Sequence, residues 1–190
     1  SENLSYQKYD PSWGARPIPP IPDASLIDMF NETVEKNPDK AAVIFLDRTT
    51  TYRELDAMSD RLAAALTEAG IQKGDRVATM LPNCVQHIIA FYAVLKAGGI
   101  IVPFNLMLKS DEVAYILEDS GAKALIALDL VYAMAQAEME KLDLLRVITV
   151  HVKDFADPSA NIPPLLAGEK NVPTGTTDFM ETMKDLGATA

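Results

Sequence analysis

The stretch RVATMLPNCVQHIIAFYAVLKAGGIIVPFN, Arg76 to Asn105, constrains the fold more than any other part of the chain. It reads as a buried strand from Arg76 to Leu81, a Pro-Asn turn, an apolar helix from Cys84 to Ala97, a Gly-Gly break and a second strand running into Pro103. Two short apolar runs bounded by turn residues and separated by a helix of about four turns predict a parallel pair with a crossover helix. Within that helix Cys84, Ile88, Phe91, Tyr92 and Leu95 share one face, which Val85 and Ile89 widen. Gln86, Ala90, Ala93 and Ala97 make a second face of small residues, suited to close approach. Both sides are expected to be covered, which makes the helix a central element.

The alternation continues on either side. Ser25 is expected to cap a helix with Leu26, Ile27, Phe30 and Val34 on one face, ended by Asn37-Pro38. Ala41 to Leu46 predicts a strand, Asp47 to Thr49 a turn and Thr50 to Tyr52 a return strand, together a small hairpin. Thr51 with Glu54 three residues later fits a capping box. It opens a helix that places Leu55, Met58, Leu62, Ala65, Leu66 and Ala69 on one stripe. Beyond Pro103, Ser110 is expected to cap a helix from Asp111 to Asp119 with Val113, Ile116 and Leu117 inward, ended by Gly121. A strand from Ala124 to Leu128, a helix from Val131 to Lys141 and a strand from Arg146 to Val152 follow.

The sum is an α/β fold, a layered and largely parallel sheet flanked by helices, with a small β-hairpin and a Pro-rich N-terminal strap. Residues 1–22 form the strap, with Pro11, Pro17, Pro19, Pro20 and Pro22 beside Tyr6, Tyr9 and Trp13, and it is expected to pack on its own domain through those aromatics. Residues 23–152 form the α/β subdomain. Residues 153–190 read as a loop-rich segment marked by Asp157-Pro158, Pro163-Pro164 and Pro173, with a short amphipathic piece around Phe179 to Leu186.

Charge and composition narrow the function. A net charge of −10, with no Lys/Arg run, opposes the attraction on which nucleic-acid binding depends, so no nucleic-acid partner is expected. One cysteine and two histidines give neither a disulfide nor a metal cluster, and a reducing, cytoplasmic setting is expected. No apolar run reaches the roughly 20 residues of a membrane span, leaving peripheral contact as the one membrane role open. Phosphate loops of the G-x-x-x-x-G-K-[ST] and G-x-G-x-x-G types and the G-x-S-x-G elbow are missing. Pro173 to Thr177, PTGTT, has the hydroxyls of a phosphate-gripping loop, but with no following lysine and no preceding strand it reads as a linker turn.

In a parallel sheet, ligands bind beyond the carboxyl ends of the strands. Those ends are Leu81-Pro82-Asn83, Pro103-Phe104-Asn105 and Leu128-Asp129. Asn83, His87 and Asn105 are therefore the candidate substrate-binding residues, each with an ordinary alternative. Asn83 suits an N-cap, Asn105 a turn, and His87 a pocket rim, having no acidic residue or second histidine within four positions. Cys84 would need a basic partner to act as a nucleophile. Met134 and Met139 are either groove lining or core filler.

The segments TTTYRELDAMSDRLAAALTEAGIQKGDRVATMLPN (Thr49 to Asn83) and LKAGGIIVPFN (Leu95 to Asn105) resemble the first two core motifs of the adenylate-forming superfamily of acyl-CoA synthetases, luciferases and peptide-synthetase adenylation domains. PDASLIDMFNETVEKNPDKAAVIF before them and DEVAYILEDSGAKALIA after them match in order, so the resemblance runs from about Pro22 to Val150. The wording looks most like a long-chain fatty-acid CoA ligase. This resemblance implies ATP, Mg²⁺ and coenzyme A as cofactors of a full-length enzyme and a fatty acid as substrate. The carboxylate would be activated as acyl-AMP and then transferred to the CoA thiol. It also implies a Ser/Thr/Gly-rich loop ending in Pro-Lys-Gly and a C-terminal catalytic lysine, neither of which occurs in this sequence. No catalytic, cofactor-binding or metal-binding residue is thus carried over, the chain reads as an N-terminal fragment inactive by itself, and no cofactor is expected to bind it. Other readings are an aryl-CoA ligase, an amino-acid adenylation domain, or a noncatalytic binding module of the same fold. In a fragment, apolar surface meant for the remainder is exposed, and a homodimer is expected.

Overall fold

A computed structural model of the chain describes residues 23–188, so the strap at residues 1–22 lies outside the described part. Helix α1 (Leu26–Lys36) leads into an antiparallel hairpin, β1 (Ala41–Phe45) and β2 (Arg48–Thr51). Helix α2 (Tyr52–Glu68) then delivers the chain to the main sheet. There β3 (Arg76–Met80), α3 (Val85–Lys96), β4 (Ile100–Pro103), α4 (Ser110–Ser120), β5 (Ala122–Leu128), α5 (Asp129–Met139) and β6 (Arg146–Val150) alternate. Two short 3₁₀ turns, Val152–Phe155 and Pro164–Leu166, lead to a two-residue strand, β7 (Thr177–Asp178), and a 3₁₀ helix, Phe179–Ala188.

The sheet order is β4-β3-β5-β6-β7, every neighbouring pair parallel. Successive residues of each central strand serve opposite faces. Val77, Ala124, Ile126, Leu128, Ile148 and Val150 join the core under α2 and α3, while Ala78, Met80, Leu125, Ala127 and Val147 join the core under α4 and α5. Coverage of both faces is why these strands read as almost unbroken apolar runs. The chain leaves β3 towards β4 on one side, then returns past β3 to β5 on the other. Right-handed crossovers therefore put α3 on one face and α4 and α5 on the opposite one, and the sheet splits at the carboxyl ends of β3 and β5.

Local signals explain most boundaries. The Thr51–Glu54 capping box closes as predicted, and Ser25 caps α1 as expected, with Asp28 completing a second box. At the Gly-Gly break, Gly98 adopts a φ of +75°, and a Cβ on Gly99 would lie 3.1–3.2 Å from Val94 and the Asp75 carbonyl. A side chain at the second position would require its neighbours to give by a few tenths of an ångström.

Several elements depart from the sequence reading. The hairpin turn is two residues, Leu46 and Asp47, with φ of 45° and 60°, and Arg48 and Thr49 already belong to β2. Two successive positive φ values match the twist of the strands, but leucine gives no sequence signal for that conformation. Ser110 is the first residue of α4 rather than its cap, and the Glu112 carboxylate instead accepts from the Lys109 N–H at 2.8 Å. Helix α5 starts two residues early because the Asp129 carboxylate takes the Leu130 N–H directly at the strand end, 2.7 Å away. Strand β6 stops at Val150, and β7 is too short to produce any periodicity. On α2, Ser59 and Ala63 are buried, while Ala65 and Ala69 are only partly covered.

The largest correction concerns α3. Its buried side is Val85, Gln86, Ile89, Ala90, Ala93 and Val94, the small-residue face with its neighbours. Ile88 is exposed, and Phe91, Tyr92 and Leu95 are partly covered. Small side chains let the helix settle close to the sheet and α2, which turns the bulkier face outward instead of covering both.

Candidate functional site at the carboxyl edge of the sheet

The outward face of α3 and the β1–β2 hairpin enclose an apolar groove of about 610 Å³. Val43, Ile44 and Phe45 form one wall, and Cys84, Ile88, Phe91 and Tyr92 the other. Asn83 and His87 also line it, so the structure brings these two candidates together with Cys84 one turn before His87. Asn105 is not among them. Its side-chain oxygen accepts the Met107 N–H at 2.9 Å, the turn role that a strand-end asparagine offers. Cys84 occupies the N-cap of α3, buried, and burial pushes its thiol up to about 11, the opposite of an activated nucleophile.

Across the split in the sheet lies a buried pair that the sequence reading missed. His151 follows β6 and Asp129 follows β5, and the His151 Nδ1–H donates to Asp129 Oδ2 over 2.8 Å. The Asn171 N–H donates to the same oxygen at 3.0 Å. With Leu130, Gly168 and Glu169 they wall a small cavity of about 80 Å³. Leu128-Asp129 was identifiable as a strand end. His151 was not, because the predicted strand ran through it to Val152. Gln86, in the first turn of α3, links the two places by donating its amide to the His151 carbonyl at 3.0 Å. The Gln86 Oε1 and Thr79 Oγ1 atoms are buried with no hydrogen-bond partner among the described residues. Met139 is core and Met134 is exposed on α5, so neither lines a groove.

The edge as a whole can hold an apolar ligand with a hydrogen-bonding end, but it offers little to phosphate or metal. Among the described residues no group of three or more His, Cys, Asp or Glu is placed to hold a metal ion. In PTGTT, the Thr176 hydroxyl donates to the Pro173 carbonyl at 2.7 Å, and the Thr177 hydroxyl accepts from Arg146 at 2.9 Å. Those hydroxyls are committed to the fold. Among the described residues, those present at this edge do not make a nucleotide site.

Comparison with known proteins adds what this geometry leaves open. Residues 30–180 match the family described as AMP-binding enzyme. A long-chain-fatty-acid–CoA ligase of Bacillus subtilis is 37% identical over 144 residues, 75% of this chain and 26% of the relative. Tyrocidine synthase 1 of Brevibacillus parabrevis is 37% identical over 109 residues, 57% of this chain and 10% of that protein. An anthranilate CoA ligase solved in complex with anthranoyl-AMP superposes with a TM-score of 0.70 at 20% identity, over 83% of this chain and 27% of its own, a likeness of fold. The chain thus spans about a quarter of the length of the long-chain ligase it matches. Among the described residues no helix is long and apolar enough to cross a membrane.

Proposed function

The chain belongs to the AMP-binding enzyme family, and from that premise we propose that it is the N-terminal part of an ATP-dependent long-chain fatty-acid CoA ligase. The observation that carries this reading is extent. The long-chain ligase of Bacillus subtilis is 37% identical over 144 residues, and peptide synthetases at 35–39% identity align over 108 to 134. In the proposed reaction a fatty-acid carboxylate oxygen attacks the α-phosphorus of ATP and expels pyrophosphate, leaving acyl-AMP. The CoA thiol then takes the acyl group, releases AMP and forms a thioester. Mg²⁺ would accompany the nucleotide, and the setting would be cytoplasmic.

The part played by these residues is framework. β3, α3 and β4 fix the sheet edge at which Asn83 and His87 meet the crevice, and the phosphate chemistry is supplied by motifs this sequence lacks. The 190-residue chain alone is therefore expected to release no pyrophosphate from ATP, Mg²⁺ and palmitate beyond a buffer control. Turnover above that control would remove the fragment reading. In the complete ligase, palmitate should support pyrophosphate release faster than an aryl acid or an amino acid. The reverse order would favour an aryl-CoA ligase or an adenylation domain, and no release with any acid would favour a noncatalytic module. His87→Ala and Asn83→Ala should raise the KM for the fatty acid, with Asn105→Ala unchanged. Equal constants for all three would take Asn83 and His87 out of the crevice.

A further inference from the structure

We propose that Asp129, His151 and Glu169 form a proton-operated latch, in which protonation of the His151 ring at Nε2 draws Glu169 inward and closes residues 167–171 over the carboxyl edge of the sheet. The ring is committed on one side only. His151 is 7% exposed, and its Nδ1–H donates to Asp129 at 2.8 Å. That bond fixes the tautomer and leaves Nε2 a bare acceptor, with no hydrogen-bond partner among the described residues. The ring helps to wall the cavity of about 80 Å³ at the end of β5, where Leu130, Ala133 and Val152 give it apolar surroundings. A buried acceptor without a donor is costly, so this nitrogen calls for an occupant that brings a hydrogen.

The charges around the ring favour a proton there. Asp129, at the start of α5, already holds one side of the imidazole, and Glu169 lines the same cavity. Glu169 has neither an ion pair nor a hydrogen bond among the described residues. The other charged groups of the neighbouring elements are engaged. Lys170 bridges Asp154 at 2.7 Å and Asp178 at 2.8 Å, and Lys153 donates to the Ala167 carbonyl at 3.0 Å. Gln86, from α3, is neutral and binds the His151 carbonyl, leaving the ring alone. A proton on Nε2 therefore makes an imidazolium with one carboxylate in place and a second free to take the new N–H in a charge-assisted bond.

The segment is built for that movement. Lys153 pins its first carbonyl, the two aspartates pin Lys170, and the Asn171 N–H is held by Asp129 at 3.0 Å. Between these anchors Gly168 is exposed, and a Cβ there would meet nothing within 4 Å. Rotation at Gly168 swings Glu169 towards Nε2 with every anchor kept. Because the segment lies against the end of β5, where the sheet splits, the latch ties the covering of that crevice to pH in the range where histidine ordinarily titrates.

The chain has two histidines, so an NMR titration of the full 190-residue protein from pH 8 to 5 reads the latch directly, with His87→Ala assigning the two imidazole signals. The Gly168 and Glu169 backbone amides should shift with the His151 ring and share its midpoint. Their exchange with solvent, corrected for the intrinsic rate at each pH, should slow several-fold once the ring is charged. Glu169→Ala, at an exposed side chain with no bond to lose, should abolish the slowing while the His151 ring still titrates. Gly74, equally open but in a turn at the amino edge, should not respond. Segment amides indifferent to the charge on the ring overturn the proposal, and so does a ring that stays neutral down to pH 5. Slowing of equal size in Glu169→Ala also overturns it, because water then satisfies Nε2 without the carboxylate.

Discussion

Asp129 accepts three hydrogen bonds, a buried one from the His151 ring and partly buried ones from the Asn171 and Leu130 N–H groups, so removing its carboxylate strands all three donors together. Asp129→Ala should cost on the order of 3 kcal/mol in urea unfolding, the typical penalty for breaking a buried pair by deleting one member. Adding His151→Ala should cost much less than its single effect. Strict additivity would mean the two side chains do not act as a unit. Cys84 gives a chemical readout of burial. With its thiol held near 11, only about one part in a thousand is thiolate at pH 8, so iodoacetamide should label it far more slowly in native protein than in urea. Asp75 shows the sign of one acid-sensitive contact. Its carboxylate accepts from Lys123 at 2.8 Å and from the Gln72 N–H at 2.8 Å, which hold it below its ordinary value of 3.8. The contribution is therefore present above 3.8 and is lost as pH falls through the lower folded value. Asp75→Asn should flatten the acid limb of a stability profile, and an unchanged limb would assign it to other carboxylates, such as Asp28 and Glu32.

Helix α3 is held by two kinds of contact whose worth differs. Lys96 sits over the Phe30 ring at 5.4 Å and bridges Asp56 and Asp60 of α2, so a single ammonium joins α1, α2 and α3. Both carboxylates remain partly hydrated, and exposed pairs are worth little, so Lys96→Met should cost about 1 kcal/mol or less. Ile89→Ala removes fully buried apolar volume and should cost about 3 kcal/mol. A denaturation experiment that ranked them the other way would make the ionic bridge the principal clamp. Thr51→Ala should cost about 1 kcal/mol by opening the capping box of α2. That box was legible in the sequence because its chemistry lies within four residues. The burial of α3 was legible too, but its rotation was not, since an amphipathic pattern cannot tell which face the sheet accepts when both are apolar.

At the scale of the whole molecule, the parallel α/β arrangement was readable because strands covered on both faces leave continuous apolar runs and glycine punctuates their ends. What escaped the sequence depends on distant partners. β7 exists only because β6 offers it an edge, with Thr177 paired to Ile148 and Asp178 to Thr149. His151 and Asp129 meet only once β5 and β6 are in register. The left-handed Leu46 belongs to the same class. Its carbonyl accepts the Asp157 N–H at 2.9 Å, and next to it Arg48 reaches the Asp154 carbonyl at 3.3 Å, 106 residues away, while its guanidinium lies 5.0 Å from the centre of the Phe155 ring. This clasp carries a kinetic consequence. A connection spanning so much chain cannot reward folding until the intervening sheet exists, so it should form after the rate-limiting barrier. Arg48→Ala should therefore speed unfolding and leave the refolding limb of a chevron almost unmoved, and native-state hydrogen exchange should find the hairpin opening ahead of β3 and β5.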